Sequence, residues 1–287
     1  MFKKIVLIIS LFLSSFLRAE IIEIDQIDDI RPYIVENGLY LFNIDETLIG
    51  SPFSLGSSAW RGWVKSKIPN CPADFVLYDA LTLYIAKHAP YQTVEPSTAS
   101  LVLDLQNEGH AVFAFTARGR SQWYTTDVKG IDHFTREQLS YAGIDFMNTR
   151  IPEELQSLEP TYFYDGIIFA EHIKKGDLLT HLFKDLKYCP SLIVFVDDKL
   201  DQVQSVEIAA KEAGIPFMGF WYRHSELSQK HFNPMVANMQ FESLFLTEKL
   251  MSNDEAMKLA ETKSEEDPLA YFKEIFEKID LERLTPN

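Results

Sequence analysis

Short apolar runs alternate with helical patterns along most of the chain. Residues 38–42 and 192–196 are apolar throughout, and residues 111–117 are apolar up to the polar Thr116. Such continuous runs are typical of strands buried on both faces. Residues 96–110 and 198–214 repeat apolar positions at helical spacing, and each has a glycine where the helix would end. Such strands alternating with helices predict a parallel sheet covered by helices, an α/β fold of the three-layer Rossmann-like class.

Further segments extend the same pattern. Residues 163–170 and 215–222 are predicted as two more strands, and residues 135–143 and 174–186 as helices. Residues 51–96 form a separate stretch with a helical pattern after the first strand. The α/β domain is therefore predicted to carry an inserted helical segment.

The first residues differ from the rest of the chain. A basic start is followed by an apolar run over residues 5–17, which is too short for a membrane span and typical of a signal-peptide core. Cleavage after Ala19 would make residues 1–19 the signal peptide and leave a mature chain from Glu20. The alternative is an uncleaved N-terminal anchor. We expect an exported protein, periplasmic or secreted, with no membrane span once the signal is removed.

Composition limits the classes of partner. The chain has 287 residues and 46% of them are hydrophobic, which suits one large domain with a sizeable core. The formal net charge of -15 would repel a phosphate backbone, so we expect no nucleic-acid partner. The two cysteines, Cys71 and Cys189, either pair in an oxidising compartment or remain buried free thiols.

The residues after the predicted domain of 20–250 form an acidic tail, 251–287. Its apolar residues recur at helical spacing and predict an amphipathic helix. They are Leu269, Phe272, Ile275, Phe276 and Ile279. The helix either packs on the domain or binds a protein partner.

Polar residues stand where the apolar runs end. Those residues are Asn43, Asp45, Thr47, Thr116, Asp197 and Asp198, and Lys174 and Lys175 open a predicted helix. Ligand sites of parallel sheets lie at the carboxyl ends of the strands, so these side chains are expected to converge. Carboxylates there could hold one Mg²⁺, while a threonine hydroxyl and a lysine ammonium hold the oxygens of a phosphoryl group. Phosphoryl transfer through an aspartyl-phosphate requires these groups.

The order of these residues resembles the haloacid dehalogenase (HAD) superfamily over residues 38–225. The resemblance rests on Asn43-Ile44-Asp45-Glu46-Thr47, "VFAFT" ending at Thr116, "KKGDLL" with Lys175, and "IVFVDD" with Asp197 and Asp198. It implies a HAD core, and residues 51–96 resemble the small helical cap that the superfamily inserts after the first strand. The signal peptide and the length resemble a secreted acid-phosphatase-like branch.

The resemblance implies catalytic roles for four positions. Position 43 is the place of the nucleophile, and Asp45 would be the general acid/base. Thr116 and Lys175 would clamp the transferring phosphoryl group. Arg118, which follows Thr116 closely, either contacts the substrate with them or caps the turn after the strand.

The resemblance also implies a Mg²⁺ site. Asn43, Asp45 and Asp197 would contribute to binding the ion, Asp45 through its backbone carbonyl. Asp198 would either bind the ion directly or orient its ligands.

Asn43 departs from the superfamily's pattern, in which an aspartate is the nucleophile. A neutral amide oxygen is a poor nucleophile and forms no stable acyl-phosphate. The expected function is therefore a Mg²⁺-dependent phosphohydrolase with weakened activity on a phosphorylated small molecule. The alternative is a catalytically inactive exported protein of the HAD fold that binds a phosphorylated ligand or a protein partner.

Overall fold

The structure is a computed structural model that describes residues 19–67, 72–123, 126–157, 161–171, 173–186, 188–279 and 284. The predicted signal peptide lies outside the described residues except for Ala19. Cys71 also lies outside them. Cys189 is an exposed residue, so the alternative of a buried free thiol is wrong for Cys189. In the part of the chain that is described, no helix combines the length and the apolar character needed to cross a bilayer.

Strands and helices follow one another along the chain. The strands are β1 (Glu20–Ile24), β2 (Gly38–Phe42), β3 (Ile49–Gly50), β4 (Gln92–Thr93), β5 (Ala111–Thr116), β6 (Gln122–Trp123), β7 (Thr126–Asp127), β8 (Phe163–Tyr164), β9 (Ile167–Phe169), β10 (Leu192–Asp197) and β11 (Phe217–Tyr222). The helices are α1 (Ser58–Lys65), α2 (Pro72–His88), α3 (Thr98–Asn107), α4 (Ile131–Tyr141), α5 (Lys175–Leu186), α6 (Leu200–Ala213), α7 (His224–Gln229), α8 (Pro234–Thr247), α9 (Asn253–Thr262) and α10 (Pro268–Glu277). Two 3₁₀ helices span Ile27–Tyr33 and Glu153–Ser157.

The central sheet has the order β1-β11-β10-β2-β5-β9-β8. Every neighbouring pair is parallel except β8 and β9, which are antiparallel. This confirms the predicted mixed α/β fold with a mostly parallel central sheet. β2 and β5 are buried along their whole length, because both of their faces are covered.

The predicted single strand over residues 163–170 is wrong in one respect. The chain forms two short strands there, β8 and β9, joined by Asp165 and Gly166. Both joining residues have positive φ, 47° and 77°, which is the conformation of a tight hairpin turn and suits an Asp-Gly pair. A side chain at position 166 would also collide with the Phe146 backbone, because a Cβ there would lie 2.3 Å from the Phe146 oxygen.

The chain divides into two compact units. The first consists of the described residues within Met1–Leu48, Thr93–Arg120 and Gly143–His224, and contains the central sheet. Its apolar core joins residues of β2, β5 and β10 with residues of α5 and α6. Among them are Phe113, Phe195, Leu178, Val203 and Val206.

The second unit comprises Ile49–Gln92, Ser121–Ala142 and Ser225–Asn287. Its apolar core joins residues of α1, α2 and α8 with residues of the tail, which forms the two helices α9 and α10. Tyr271 and Ile275 of α10 are buried in this core, and Phe272 and Phe276 pack against it. The tail therefore buries an amphipathic face within its own unit.

Candidate active site

Three adjacent strands of the first unit end at the same edge of the sheet. Phe42 of β2 is in register with Val196 of β10 on one side and with Ala114 of β5 on the other. The backbone N–H of Asn43 continues this pairing by donating to the Val196 carbonyl oxygen at 2.9 Å. The residues that follow each strand are therefore brought together, as expected at the carboxyl edge of a parallel sheet.

Asn43 lies at the centre of this edge, with only 7% of its surface exposed. Its Nδ2 donates to the Asp45 backbone oxygen at 2.8 Å, to Asp198 Oδ1 at 3.0 Å and, at 3.3 Å, to Thr47 Oγ1. Its Oδ1 accepts a hydrogen bond from Lys175 Nζ at 2.9 Å.

These partners determine which way the Asn43 amide points. The Lys175 ammonium can only donate, so it requires the amide oxygen on its side. The Asp45 carbonyl and the Asp198 carboxylate can only accept, so they require the NH₂ group on theirs. The opposite orientation would place donor against donor and acceptor against acceptor.

Lys175 is the first residue of α5 and is almost completely buried, at 1% exposure. Besides Asn43, its Nζ binds Asp197 Oδ2 at 2.6 Å. Close packing of α5 on α6 fixes its position: a Cβ on the next residue, Gly176, would lie 2.0 Å from the Ser205 backbone oxygen. Only glycine allows this approach, which explains the Lys-Gly pair at the start of the helix.

Asp197 is the last residue of β10, Asp198 follows it, and both are buried. Asp197 Oδ1 accepts from the Lys199 backbone N–H at 2.8 Å, and the Lys199 Nζ lies 2.8 Å from Asp198 Oδ2. Burial raises the pKa of Asp197, the Lys175 ammonium lowers it, and the Asp198 carboxylate raises it, so that the pKa ends above the ordinary value. Burial disfavours the charged form of Lys199, but the Asp198 carboxylate outweighs this effect and raises the pKa of Lys199.

Thr116 and Arg118 complete the edge. The Arg118 backbone N–H donates to Thr116 Oγ1 at 3.1 Å, which fixes the turn after β5. The Arg118 guanidinium binds both oxygens of Asp45, from Nε to Oδ2 at 2.8 Å and from Nη2 to Oδ1 at 2.7 Å. Arg118 thus closes the turn after β5 through its backbone, one of the two roles left open by the sequence, and its side chain binds Asp45. Its contact with a substrate stays a prediction.

The charges of these groups balance in three pairs. The pairs are Asp45 with Arg118, Asp197 with Lys175, and Asp198 with Lys199. Because residue 43 is a neutral amide, it adds no fourth carboxylate to the three aspartates. The three ion pairs themselves therefore carry no net charge.

The described arrangement does not fit a magnesium ion. Mg²⁺ requires oxygen ligands in near-octahedral geometry. Here the atom that faces the Asp45 carbonyl and Asp198 Oδ1 is a nitrogen, Asn43 Nδ2, which carries two protons and cannot bind a cation. Lys199 also lies at the second Asp198 oxygen. Among the residues that the structure describes, no three acidic, histidine or cysteine side chains are arranged to hold a metal ion.

All the site residues predicted from the sequence lie at this one edge of the sheet. They are Asn43, Asp45, Thr116, Arg118, Lys175, Asp197 and Asp198. Their catalytic and metal-binding roles stay predictions. No role was predicted for Thr47, which contacts Asn43, or for Lys199, which contacts Asp198. The position of Lys199 directly after the acidic pair was the available signal.

The chain matches a family model described as "Protein of unknown function (DUF2608)" over residues 23–257. It is 23% identical over 262 residues to an uncharacterized protein of Rickettsia bellii, covering 81% of this chain and 87% of the relative. It is 24% identical over 225 residues to a "Putative outer membrane protein" of Chlamydia trachomatis, covering 77% and 81%. A protein of the same description from Chlamydia pneumoniae is 23% identical over 256 residues, covering 86% and 91%. No solved structure matches the chain.

Proposed function

The chain belongs to the DUF2608 family of proteins of unknown function, and from its site we propose that it is an exported HAD-like protein that binds a phosphate monoester without hydrolysing it. The observation that carries the proposal is the position and orientation of the Asn43 amide. Its oxygen accepts from Lys175, and its nitrogen donates to Asp198 and to the Asp45 carbonyl. The residue at the nucleophile position therefore holds the site together and offers no anionic oxygen for attack.

Two groups at the edge of the sheet can donate hydrogen bonds to a phosphate. Thr116 Oγ1 accepts from the Arg118 amide, and within the described ranges its own proton meets no acceptor. Lys175 Nζ has three protons, of which Asn43 and Asp197 take two. Charge-assisted hydrogen bonds from such groups are the usual means of holding phosphate oxygens.

The charge balance of the three ion pairs leaves no excess negative charge to oppose an anionic ligand. Asp45, Asp197 and Asp198 are each paired with a cation, and Asn43 contributes no charge. An aspartate at position 43 would add a negative charge beside the incoming phosphate and would oppose its binding unless another cation compensated it.

Export and the cap belong to the same proposal. The chlamydial relatives are named outer membrane proteins, which is compatible with a signal peptide over residues 1–19. β1 begins at Glu20, the first residue after the predicted cleavage position.

By the HAD resemblance, residues 51–96 would be the cap that selects the ligand. A protein partner at the tail stays a prediction, for which α9 offers two exposed apolar residues, Met257 and Leu259.

A second candidate function is a weak Mg²⁺-dependent phosphohydrolase. What favours it is the convergence of the other HAD-type residues around position 43. They are Asp45, Thr116, Lys175, Asp197 and Asp198. This candidate requires the Asn43 amide to leave the hydrogen bonds described above.

Phosphate release from an aryl phosphate separates the two candidates. We expect the chain from Glu20 on to release no phosphate with or without Mg²⁺, and to bind inorganic phosphate by calorimetry. Asn43→Asp restores the superfamily's nucleophile and is expected to release phosphate with Mg²⁺. Turnover by the natural chain that Asp45→Asn abolishes would establish the phosphohydrolase instead. If neither the natural chain nor Asn43→Asp binds phosphate or releases it from the aryl phosphate, the HAD-like function is refuted.

A further inference from the structure

The NH₂ group of Asn43 lies among oxygen atoms. Nδ2 is 2.8 Å from the Asp45 backbone oxygen, 3.0 Å from Asp198 Oδ1 and 3.3 Å from Thr47 Oγ1. A backbone carbonyl, a carboxylate and a hydroxyl are the kinds of ligand that a hard divalent cation takes. A hydrogen-bond donor thus stands where such a cation would contact these oxygens.

An aspartate at position 43 would change this arrangement. One of its oxygens could still accept from Lys175, as Asn43 Oδ1 does. The other would face Asp198 Oδ1 and the Asp45 carbonyl at the distances that Nδ2 now has, with no proton between them. Oxygen atoms this close require a bound cation or a proton between them, whereas the NH₂ group of asparagine supplies the hydrogen-bond donors itself.

Lys199 supplies a positive charge at the same place. Its Nζ lies 2.8 Å from Asp198 Oδ2, the oxygen that Asn43 does not contact. Its side chain is 60% exposed, so it reaches the buried carboxylate from the solvent side. Asp198 is thereby neutralised by the chain itself.

We infer that the Asn43 amide and the Lys199 ammonium replace the divalent cation, so that this site binds its anionic ligand without a metal. The inference rests on the proposed function for the nature of the ligand. The replacement of the metal rests on the contacts of Asn43 and Lys199 alone. Metal response and phosphate binding are therefore measured separately.

Thermal unfolding in EDTA and in Mg²⁺ tests the inference. The protein is produced from the full chain with its own leader. We expect the natural protein to unfold at the same temperature in both. Asn43→Asp is expected to unfold roughly 5 °C lower in EDTA and to recover most of this loss in Mg²⁺. Asn238→Asp is the matched control, because Asn238 is a fully buried asparagine of the second unit that donates to the Pro268 carbonyl oxygen. It is expected to lose stability equally in EDTA and in Mg²⁺.

Lys199→Met provides a second variant, which is expected to fold because the side chain is largely exposed. This substitution removes the ammonium from Asp198. The double variant Asn43→Asp with Lys199→Met is expected to bind Mg²⁺ more tightly than Asn43→Asp alone, as measured by calorimetry. Stabilisation of the natural protein by Mg²⁺, or an Asn43→Asp protein indifferent to Mg²⁺, would overturn the inference. Phosphate binding by the natural protein in EDTA is the third measurement. If phosphate binds only when Mg²⁺ is added, the inference is wrong; if it binds under neither condition, the proposed function fails.

Discussion

Arg118 binds both carboxylate oxygens of Asp45 in a fork, from Nε at 2.8 Å and from Nη2 at 2.7 Å. Planar two-point contact of this kind is specific to arginine and holds the carboxylate in one orientation. In a HAD-type site the residue at position 45 has to exchange a proton with the leaving group. Here its two oxygens are both engaged by the guanidinium, so proton exchange at Asp45 would require this fork to open.

Arg118→Met removes the fork and leaves the Asp45 carboxylate to water. We expect a loss of about 1–2 kcal/mol in the free energy of unfolding, because Asp45 is partly exposed and can be rehydrated. Urea unfolding of Arg118→Met, Asp45→Asn and the double variant measures the coupling between the two side chains. If the stability loss of the double variant equals the sum of the two single losses, the fork contributes nothing to the free energy of unfolding. A double variant as stable as Arg118→Met alone supports the fork.

Gly176→Ala is expected to destabilise the first unit by about 1–3 kcal/mol, because its Cβ would overlap the Ser205 backbone oxygen and force α5 away from α6. Lys175 would move with the helix, so phosphate binding should weaken as well. Gly62→Ala is the matched control, since Gly62 is an exposed residue of α1 whose added Cβ would meet no atom within 4 Å. It should raise stability by up to about 1 kcal/mol. Equal effects of the two substitutions would refute the packing argument.

The sequence was sufficient to predict the parallel sheet and the residues at its edge. Continuous apolar runs such as β5 and β10 are seldom anything other than buried strands, and each ends in a polar residue, Thr116 or Asp197. β1 was missed because Glu20 and Glu23 interrupt its apolar residues, a pattern suited to the edge of the sheet that it occupies.

The orientation of the Asn43 amide could not be predicted from the sequence. It depends on Lys175 and Asp198, which are 132 and 155 positions away along the chain. A motif indicates which residues meet, but the direction of each hydrogen bond follows only from the donors and acceptors that surround a side chain. The pairing of Lys199 with Asp198 was not predicted for a different reason. The two residues are adjacent in a turn, and a turn has no periodic pattern that would indicate which side chains meet.

The stability of the first unit should depend on the ionisation of Asp197. Burial raises the pKa of this carboxyl to about 6, above its ordinary value of 3.8, so between these pH values the native chain holds a proton that the unfolded chain has lost. Its contribution to stability is therefore largest below pH 3.8 and falls as the pH rises through about 6, by about 1–3 kcal/mol. Asp197→Asn cannot ionise and lacks this dependence.

Urea unfolding of both proteins between pH 4 and pH 7 measures the effect. The stability of the natural protein relative to Asp197→Asn should decrease as the pH rises. A constant difference across this range would show that Asp197 is ionised in the native state throughout, with the Lys175 ammonium outweighing its burial.

Thr116→Val should weaken the binding of phosphate about tenfold, because it removes the hydroxyl proton that the proposed function assigns to the ligand. Thr116→Ser is the control, since it keeps the hydroxyl and is expected to bind phosphate within a factor of about two of the natural protein. Calorimetric titration with inorganic phosphate in EDTA gives the dissociation constants. The Arg118 amide also loses its acceptor in Thr116→Val, so urea unfolding of both variants must show that the folded protein is being titrated. Equal affinities in folded Thr116→Val and Thr116→Ser would place the phosphate away from β5 and refute the site as proposed.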